Sequence, residues 1–379
     1  MTKKDRERKR IAIIGLGLIG GSLGLALKAA GLPDAEIVGH DQARDAENKA
    51  RKMGAIDRAE HNLPRAVERA GMVVIATPVL AVREVMQQIA PDLPDGCVVT
   101  DTGSTKEMIM EWAAELLPPS VSFVGGHPMA GKDTQGIDNA EAGLFRDRAY
   151  CLCPAVNAHE DAVRSVAGLV TLVGAEPLYL HPKEHDQYAA AVSHLPLLLS
   201  AALFSLLRAS PAWNDLAPMA SSGFRDVTRL ASGDPRMSHD IFLTNRDAAV
   251  HWLDRMVEEL QRYRGLLQGD TEELLETFAR AQIDRDSFLA EPHPRRLEGE
   301  EPPDVRQDMM KSLMGGWVSE RVKKVRELPG LMREAGSAGG EGKPSRAERI
   351  AEDIRRDLDK LEKNKERRNS EKSKEKDRG

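Results

Sequence analysis

Short apolar runs recur along the first half of the chain, each followed by a polar or glycine-bearing turn and then by a stretch with apolar residues three and four apart. The runs are Ile11-Ala12-Ile13-Ile14, Glu36-Ile37-Val38-Gly39-His40, Met72-Val73-Val74-Ile75-Ala76, Cys97-Val98-Val99-Thr100, Val121-Ser122-Phe123-Val124, Ala149-Tyr150-Cys151-Leu152-Cys153 and Pro177-Leu178-Tyr179-Leu180. Apolar runs of this length that alternate with helical stretches are the pattern of strands covered on both faces, and they predict a doubly wound parallel sheet. From about His181 the pattern changes to long helical stretches, and His185 to Ala209 carries apolar residues on most faces. So wide an apolar surface must be buried in a helical bundle or against another subunit. Near Pro292-His293-Pro294 and Pro302-Pro303 the composition shifts again to a charged remainder with a Gly/Ser-rich break from Gly336 to Gly342. The pattern predicts an α/β sheet domain over residues 1–180, an all-helical domain over 181–290 that builds a homodimer, and a charged tail over 291–379, largely disordered or loosely helical.

Composition narrows the class. The 379 residues are 41% hydrophobic, enough to bury a sizeable core, and the net charge of -6 gives no reason to expect nucleic acid or an anionic membrane as partner. The charged start, Met1 to Arg10, runs into the first strand without an apolar signal region, and no uninterrupted apolar stretch reaches spanning length, so a cytoplasmic, membrane-free protein is expected. The three cysteines Cys97, Cys151 and Cys153 sit in strand-like runs, match neither a disulfide framework nor a zinc site, and read as buried thiols, with no metal expected.

The first chemical signal follows the first strand. Gly15-Leu16-Gly17-Leu18-Ile19-Gly20 leads from Ile14 into a helical pattern that ends near Gly31. The first glycine allows a tight turn, the second lets backbone approach a pyrophosphate, the third lets helix pack on strand, and the helix N-terminus offers free N–H groups to phosphate. The second strand ends in Asp41, where a carboxylate would accept hydrogen bonds from ribose hydroxyls. Together these define a Rossmann-type dinucleotide-binding unit. Asp41 repels a 2'-phosphate and favours NAD, while Arg44 close by suits such a phosphate and keeps NADP as the alternative.

In sheets of this kind ligands bind beyond the carboxyl ends of the strands. Those ends are Thr77-Pro78, Asp101-Thr102-Gly103-Ser104-Thr105-Lys106 and Gly126-His127-Pro128. Thr77, Pro78 and Asp101 are therefore candidate cofactor contacts. His127 is expected in a loop made flexible by Gly125, Gly126 and Gly131, where it can accept a proton from a substrate hydroxyl as hydride leaves the same carbon. Ser104 can hydrogen-bond the same hydroxyl or the nicotinamide amide, and can also serve as a helix N-cap. His194 and His185 read equally as site residues or as polar groups buried between helices. Arg225 and Arg229 lie four apart, on one face if helical, and suit an acidic small molecule, with pairing to Asp226 or Asp234 as the competing explanation.

The glycine fingerprint, Asp101-Thr102-Gly103-Ser104-Thr105-Lys106, Gly126-His127-Pro128-Met129-Ala130-Gly131, His185-Asp186, Ser193-His194-Leu195-Pro196 and Gly223-Phe224-Arg225-Asp226-Val227-Thr228-Arg229 occur in that order. This succession, over roughly residues 10 to 290, resembles the prephenate/arogenate dehydrogenase family of tyrosine biosynthesis. The resemblance implies oxidative decarboxylation of prephenate to 4-hydroxyphenylpyruvate, or of arogenate to tyrosine, with NAD or NADP as hydride acceptor and dimerisation through the helical domain. It further implies that His127 and Ser104 are catalytic, that His194, Arg229, Arg225 and Lys132 bind substrate, and that Gly15, Gly17, Leu18, Ile19, Gly20, Asp41, Thr77, Pro78 and Asp101 bind cofactor. Relatives often carry a histidine where Leu197 stands and an aromatic where Ser238 stands, which bears on substrate preference. No strand-rich regulatory domain is expected in residues 291 to 379, and no chorismate mutase-like domain before Ile11.

Two rival readings differ in testable ways. A β-hydroxyacid dehydrogenase would place a lysine in the helical domain as acid/base, whereas this chain offers histidines there. A nucleotide-binding scaffold protein would bind cofactor without turnover.

Overall fold

The computed structural model describes residues 9–31, 35–269 and 271–290; the charged tail from residue 291 lies outside the described residues. Strand β1 (Lys9–Ile14) alternates its side chains between two apolar layers. Ile11 and Ile13 join Leu23 and Leu27 of α1 (Leu18–Ala29) in one layer, while Ala12 and Ile14 join the other. The chain then forms β2 (Ala35–His40), α2 (Arg44–Lys52), the two-residue β3 (Arg58–Ala59), α3 (Leu63–Val67), β4 (Ala70–Ile75), α4 (Val79–Ile89), β5 (Val98–Asp101) and α5 (Glu107–Leu116). Val82 and Met86 of α4 and Trp112 of α5 close the second layer.

Next come β6 (Ser122–Pro128), β7 (Ala149–Pro154), α6 (Glu160–Leu172) and β8 (Glu176–Tyr179), whose first-layer contribution is Val166 and Val170 of α6. The eight strands lie in the order β3-β2-β1-β4-β5-β6-β7-β8. All neighbours are parallel except β6 and β7, so the expected parallel sheet contains one antiparallel pairing. That pairing corrects a second expectation. Val124 through Pro128 are drawn into register with Pro154 through Tyr150, so His127 stands inside a strand opposite Cys151 and not in a flexible loop. Gly126 serves close approach: a Cβ there would lie 2.5 Å from the main-chain oxygen of Asp101.

The helical part begins with α7 (Pro182–Ala189), continues through a π-helical turn at Ala190–His194 and runs on as α8 (Leu195–Arg208). Pro196 has no N–H to give the carbonyl four residues back, and the ladder shifts to the wider π register where that bond is missing. Pro182–Arg208 is one helical path of 27 residues whose most apolar 18-residue stretch has mean hydropathy 1.9, long and apolar enough by length and composition to cross a membrane, which the sequence pattern did not anticipate. Among the polar residues that interrupt it, His185, Asp186 and His194 are buried, while Lys183 and Glu184 are exposed. Val192 and Leu206 are exposed. Helices α9 (Trp213–Leu216), α10 (Ser222–Thr228), α11 (Pro235–Thr244), α12 (Arg246–Gln268) and α13 (Thr271–Ala290) complete the path.

Packing divides the chain into two compact units, and among the described residues the first reaches Asp254. The helices from α7 to α11 therefore belong to the same unit as the sheet. Leu80 N–H donates to the carboxylate of Asp240 at 3.3 Å, and the Thr105 and Thr244 hydroxyls lie 2.8 Å apart. In the second unit, Tyr263 and Phe278 bring α12 and α13 together at a ring separation of 5.8 Å.

Candidate active site

The nucleotide edge is built where β1 ends. Gly15 adopts φ +91, and a Cβ there would lie 2.5 Å from the oxygen of Ala76. A Cβ on Gly20 would overlap the Gly15 carbonyl, whereas one on Gly17 meets open space. Glycine is thus required on both sides of a backbone ridge with room above it. The first turn of α1 has no side-chain cap, so its N–H groups face that room. The Asp41 carboxylate accepts from Leu16 N at 2.7 Å and from Ala43 N at 2.8 Å, which fixes it beside the glycine turn. At the end of β4 the Thr77 hydroxyl is buried and unpartnered among the described residues, an orphan that a ligand can satisfy. Glycine ridge, uncapped helix and ribose-side carboxylate together fit a dinucleotide. Arg44 is exposed at the start of α2.

Asp101 has a different task from the one expected. It is fully buried, and its carboxylate accepts from Gly103 N at 2.7 Å and Gly126 N at 3.0 Å while pairing with the equally buried Lys106 ammonium. Both carboxylate oxygens are engaged within the protein. Lys106 also donates to the Gly126 carbonyl at 2.8 Å. This pair pins the backbone next to His127.

His127 Nδ1 lies 2.9 Å from His185 Nε2, and His185 Nδ1 lies 2.7 Å from Asp186 Oδ1. The Asp186 carboxylate also accepts from the main-chain N–H of Lys106 at 2.7 Å and of Glu107 at 2.9 Å, so it caps α5. A carboxylate in this setting accepts, and His185 must therefore donate from Nδ1. Its Nε2 is left with a lone pair, which accepts the Nδ1–H of His127. The chain of bonds ends with a lone pair on His127 Nε2, the arrangement a general base requires. Ser104 lies half-buried in the turn between β5 and α5 and is not the helix cap, a position that falls to Lys106.

His194 ends the π turn with no exposed surface, and its Nδ1 lies 3.3 Å from the Asn245 amide nitrogen. Burial, the neighbouring His185 and the Lys106 charge hold His127 well below the usual histidine range. Burial above all brings His194 down to about 4, with Asp186 partly opposing. An unfolded chain takes up both protons near the ordinary value of 6.5 and the folded chain does not. Stability is therefore full above that value and declines as pH falls toward 4, where the His194 contribution to the decline ends. Urea midpoints are expected to drop between about pH 7 and pH 5, and to drop less in His194→Leu. Parallel curves for the two proteins would remove His194 from this role.

The cations assigned to substrate are placed at the surface. Arg229 opens a 3-10 turn just after α10, is 55% exposed, and pairs with Asp133, not with Asp226 or Asp234. Asp234 instead caps α11 through Arg236 N at 2.6 Å. Arg225 is exposed on α10. The Lys132 ammonium lies 2.8 Å from Glu141 and 3.1 Å from the Asn139 carbonyl. Sequence reasoning missed Lys106, Asp186 and Asn245 as organisers of the site. The adjacency of His185 and Asp186 was a usable signal for one of them, since an acid beside a helical histidine can fix its tautomer.

A sheet edge shaped for a dinucleotide, with a neutral histidine base at the carboxyl end of β6, defines a nicotinamide-dependent dehydrogenase that joins a Rossmann-type domain to a helical one. Comparison with known proteins specifies the group. The prephenate dehydrogenase nucleotide-binding domain matches residues 23–179, and the prephenate dehydrogenase dimerization domain matches residues 181–280. Prephenate dehydrogenase of Bacillus subtilis is 34% identical over 304 residues, 79% of this chain and 80% of that protein. Cyclohexadienyl dehydrogenase of Zymomonas mobilis is 31% identical over 277 residues, 72% of this chain and 94% of that protein. The crystal structure of prephenate dehydrogenase from A. aeolicus with hydroxyphenyl propionate and NAD+ superposes with a TM-score of 0.69 at 28% identity, covering 74% of this chain and 98% of that one. The chain belongs to the prephenate dehydrogenase family and is an NAD-dependent oxidoreductase.

Proposed function

We propose that this enzyme converts prephenate to 4-hydroxyphenylpyruvate and carbon dioxide, with residues 1–180 holding the nucleotide and residues 181–290 completing the substrate site and pairing two subunits. The observation that carries this reading is the Asp186–His185–His127 chain, which leaves a lone pair on His127 Nε2 at the carboxyl end of β6. His127 Nε2 takes the proton of the ring hydroxyl as the C4–H electron pair departs as hydride, leaving a carbonyl at C4. NAD, when bound, supplies the acceptor for that hydride. The bond from the ring to its carboxylate then breaks, its electrons enter the ring, and the proton returns from His127 to the new phenolate oxygen. Ser104 is assigned to orient the same hydroxyl.

Arg229 is assigned the ring carboxylate, exchanging Asp133 for it, and Arg225 and Lys132 add positive charge nearby; a planar guanidinium suits two-point binding of a carboxylate. His194 lines the pocket. Homodimerisation through the helical domain is supported by the matched dimerization domain and by the exposed apolar residues Val192, Leu206 and Val227.

Arogenate differs from prephenate only in an amino group far from the ring hydroxyl, so the base serves either substrate. Prephenate is the reading favoured by the Bacillus relative, and dual use by the cyclohexadienyl dehydrogenase. Reduced-nicotinamide absorbance with each substrate and each of NAD and NADP is expected to show turnover with prephenate and NAD. Silence in all four combinations, with NAD binding verified separately, would overturn the proposed reaction.

A further inference from the structure

Besides the Thr77 hydroxyl on the nucleotide side, the site holds a second buried polar atom left open among the described residues. Nε2 of the fully buried His194 makes no well-formed hydrogen bond among the described residues, although the Ser104 main chain lies near enough to the ring to oppose the fall of its pKa. Its other nitrogen faces Asn245, whose amide nitrogen lies 3.3 Å from His194 Nδ1 and 2.7 Å from the main-chain oxygen of Asp186. A carbonyl oxygen only accepts, so the amide presents its nitrogen and not its oxygen to Asp186. One amide hydrogen goes to that carbonyl and the other to Nδ1, which must receive it with a lone pair. A neutral imidazole with a lone pair on Nδ1 carries its hydrogen on Nε2.

Asn245 is well placed to enforce this choice. It sits at the break between α11 and α12, with φ -138 and ψ 44, and is 7% exposed. The preceding Thr244 is tied to Thr105 by hydroxyls 2.8 Å apart, so the amide is anchored from the β5–α5 turn as well as from Asp186.

We infer that Asn245 is a positioning residue that holds His194 in the Nε2–H form, so that His194 meets the substrate as a donor to an acceptor oxygen, a carboxylate or carbonyl of a small organic acid. This rests on the function proposed above. Two buried rings then show opposite polarity to one ligand: His127 Nε2 offers a lone pair and suits a hydroxyl, while His194 Nε2–H suits an oxygen that bears no hydrogen. The pairing decides which end of the substrate each ring meets, because the reversed arrangement leaves two donors facing in one place and two acceptors in the other.

The test uses the full chain with 15N-labelled histidine, reading tautomers from long-range N–H couplings, with the His194 signal identified by its loss in His194→Leu. His194 is expected in the Nε2–H form at neutral pH. Asn245→Asp offers acceptors only and is expected to drive the ring to the Nδ1–H form, which takes the donor away from Nε2, raising the prephenate KM at least about tenfold while kcat stays within about threefold and the NAD KM is unchanged. An Nδ1–H ring in the unsubstituted protein would overturn the inference, as would Asn245→Asp with an altered tautomer and an unaltered prephenate KM. If that variant does not fold, the spectrum of the unsubstituted chain decides alone. A protein that turns over neither prephenate nor arogenate would defeat the proposed function and still leave the tautomer measurable.

Discussion

Replacing His127 by asparagine is expected to lower kcat for prephenate at least about a hundredfold and to leave NAD affinity near its original value. The asparagine amide occupies the region of the imidazole Nδ1 and can keep a hydrogen bond to His185, so the buried strand need not rearrange. It has no lone pair basic enough to take the ring hydroxyl proton at neutral pH. The nucleotide contacts proposed at Gly17, Asp41 and Thr77 lie on other elements and are untouched. His185→Leu is expected to cost less, because the base survives and only its tautomer is released. Steady-state rates with NAD binding followed by fluorescence check both variants. Unchanged turnover in His127→Asn would strike this residue from the mechanism.

A second large effect is expected on stability. Lys106→Met should lower the free energy of unfolding by about 3–5 kcal/mol, read as the urea midpoint, because it leaves the Asp101 carboxylate buried without its cation. Methionine fills much of the lysine stem, so the cost is chiefly electrostatic. Asp101 keeps only the N–H groups of Gly103 and Gly126, at 2.7 and 3.0 Å. The double variant Lys106→Met, Asp101→Asn removes the stranded charge and is expected to recover part of the loss, a coupling that a double-mutant cycle measures. If the double variant is less stable than the sum of the single losses, the buried pair is not the source. Because Lys106 also holds the Gly126 carbonyl at 2.8 Å, folded Lys106→Met should be slower as well.

The sheet was legible because its strands are covered on both faces and read as apolar runs; Ile11 through Ile14 show this well, with neighbours split between two layers. Strand β3 was not, since Arg58 and Ala59 carry no pattern that two residues could display. His127 was found as a residue and misplaced as structure. Its glycines read as a loop, whereas pairing with β7, more than twenty residues on, draws them into a strand. The cations were legible by type only: Arg229 is engaged by Asp133, a partner 96 residues away. The organisation around Asp186 was beyond sequence reasoning for the same reason. Its partners at Lys106 and Asn245 are 80 and 59 residues distant, and nothing in the local pattern of either announces the contact.

Asp186 caps α5 on the nucleotide domain with the same carboxylate that orients His185. Neither element orients the base alone: the tautomer of His127 is set only while α7 is seated on the start of α5. Separating α7 from α5 would uncouple Asp186 from the Lys106 and Glu107 N–H groups and release the tautomer of His127 with it. The readiness of the base is thereby tied to the seating of α7 on α5, so a substitution that loosens that seat reaches the catalytic ring without touching it.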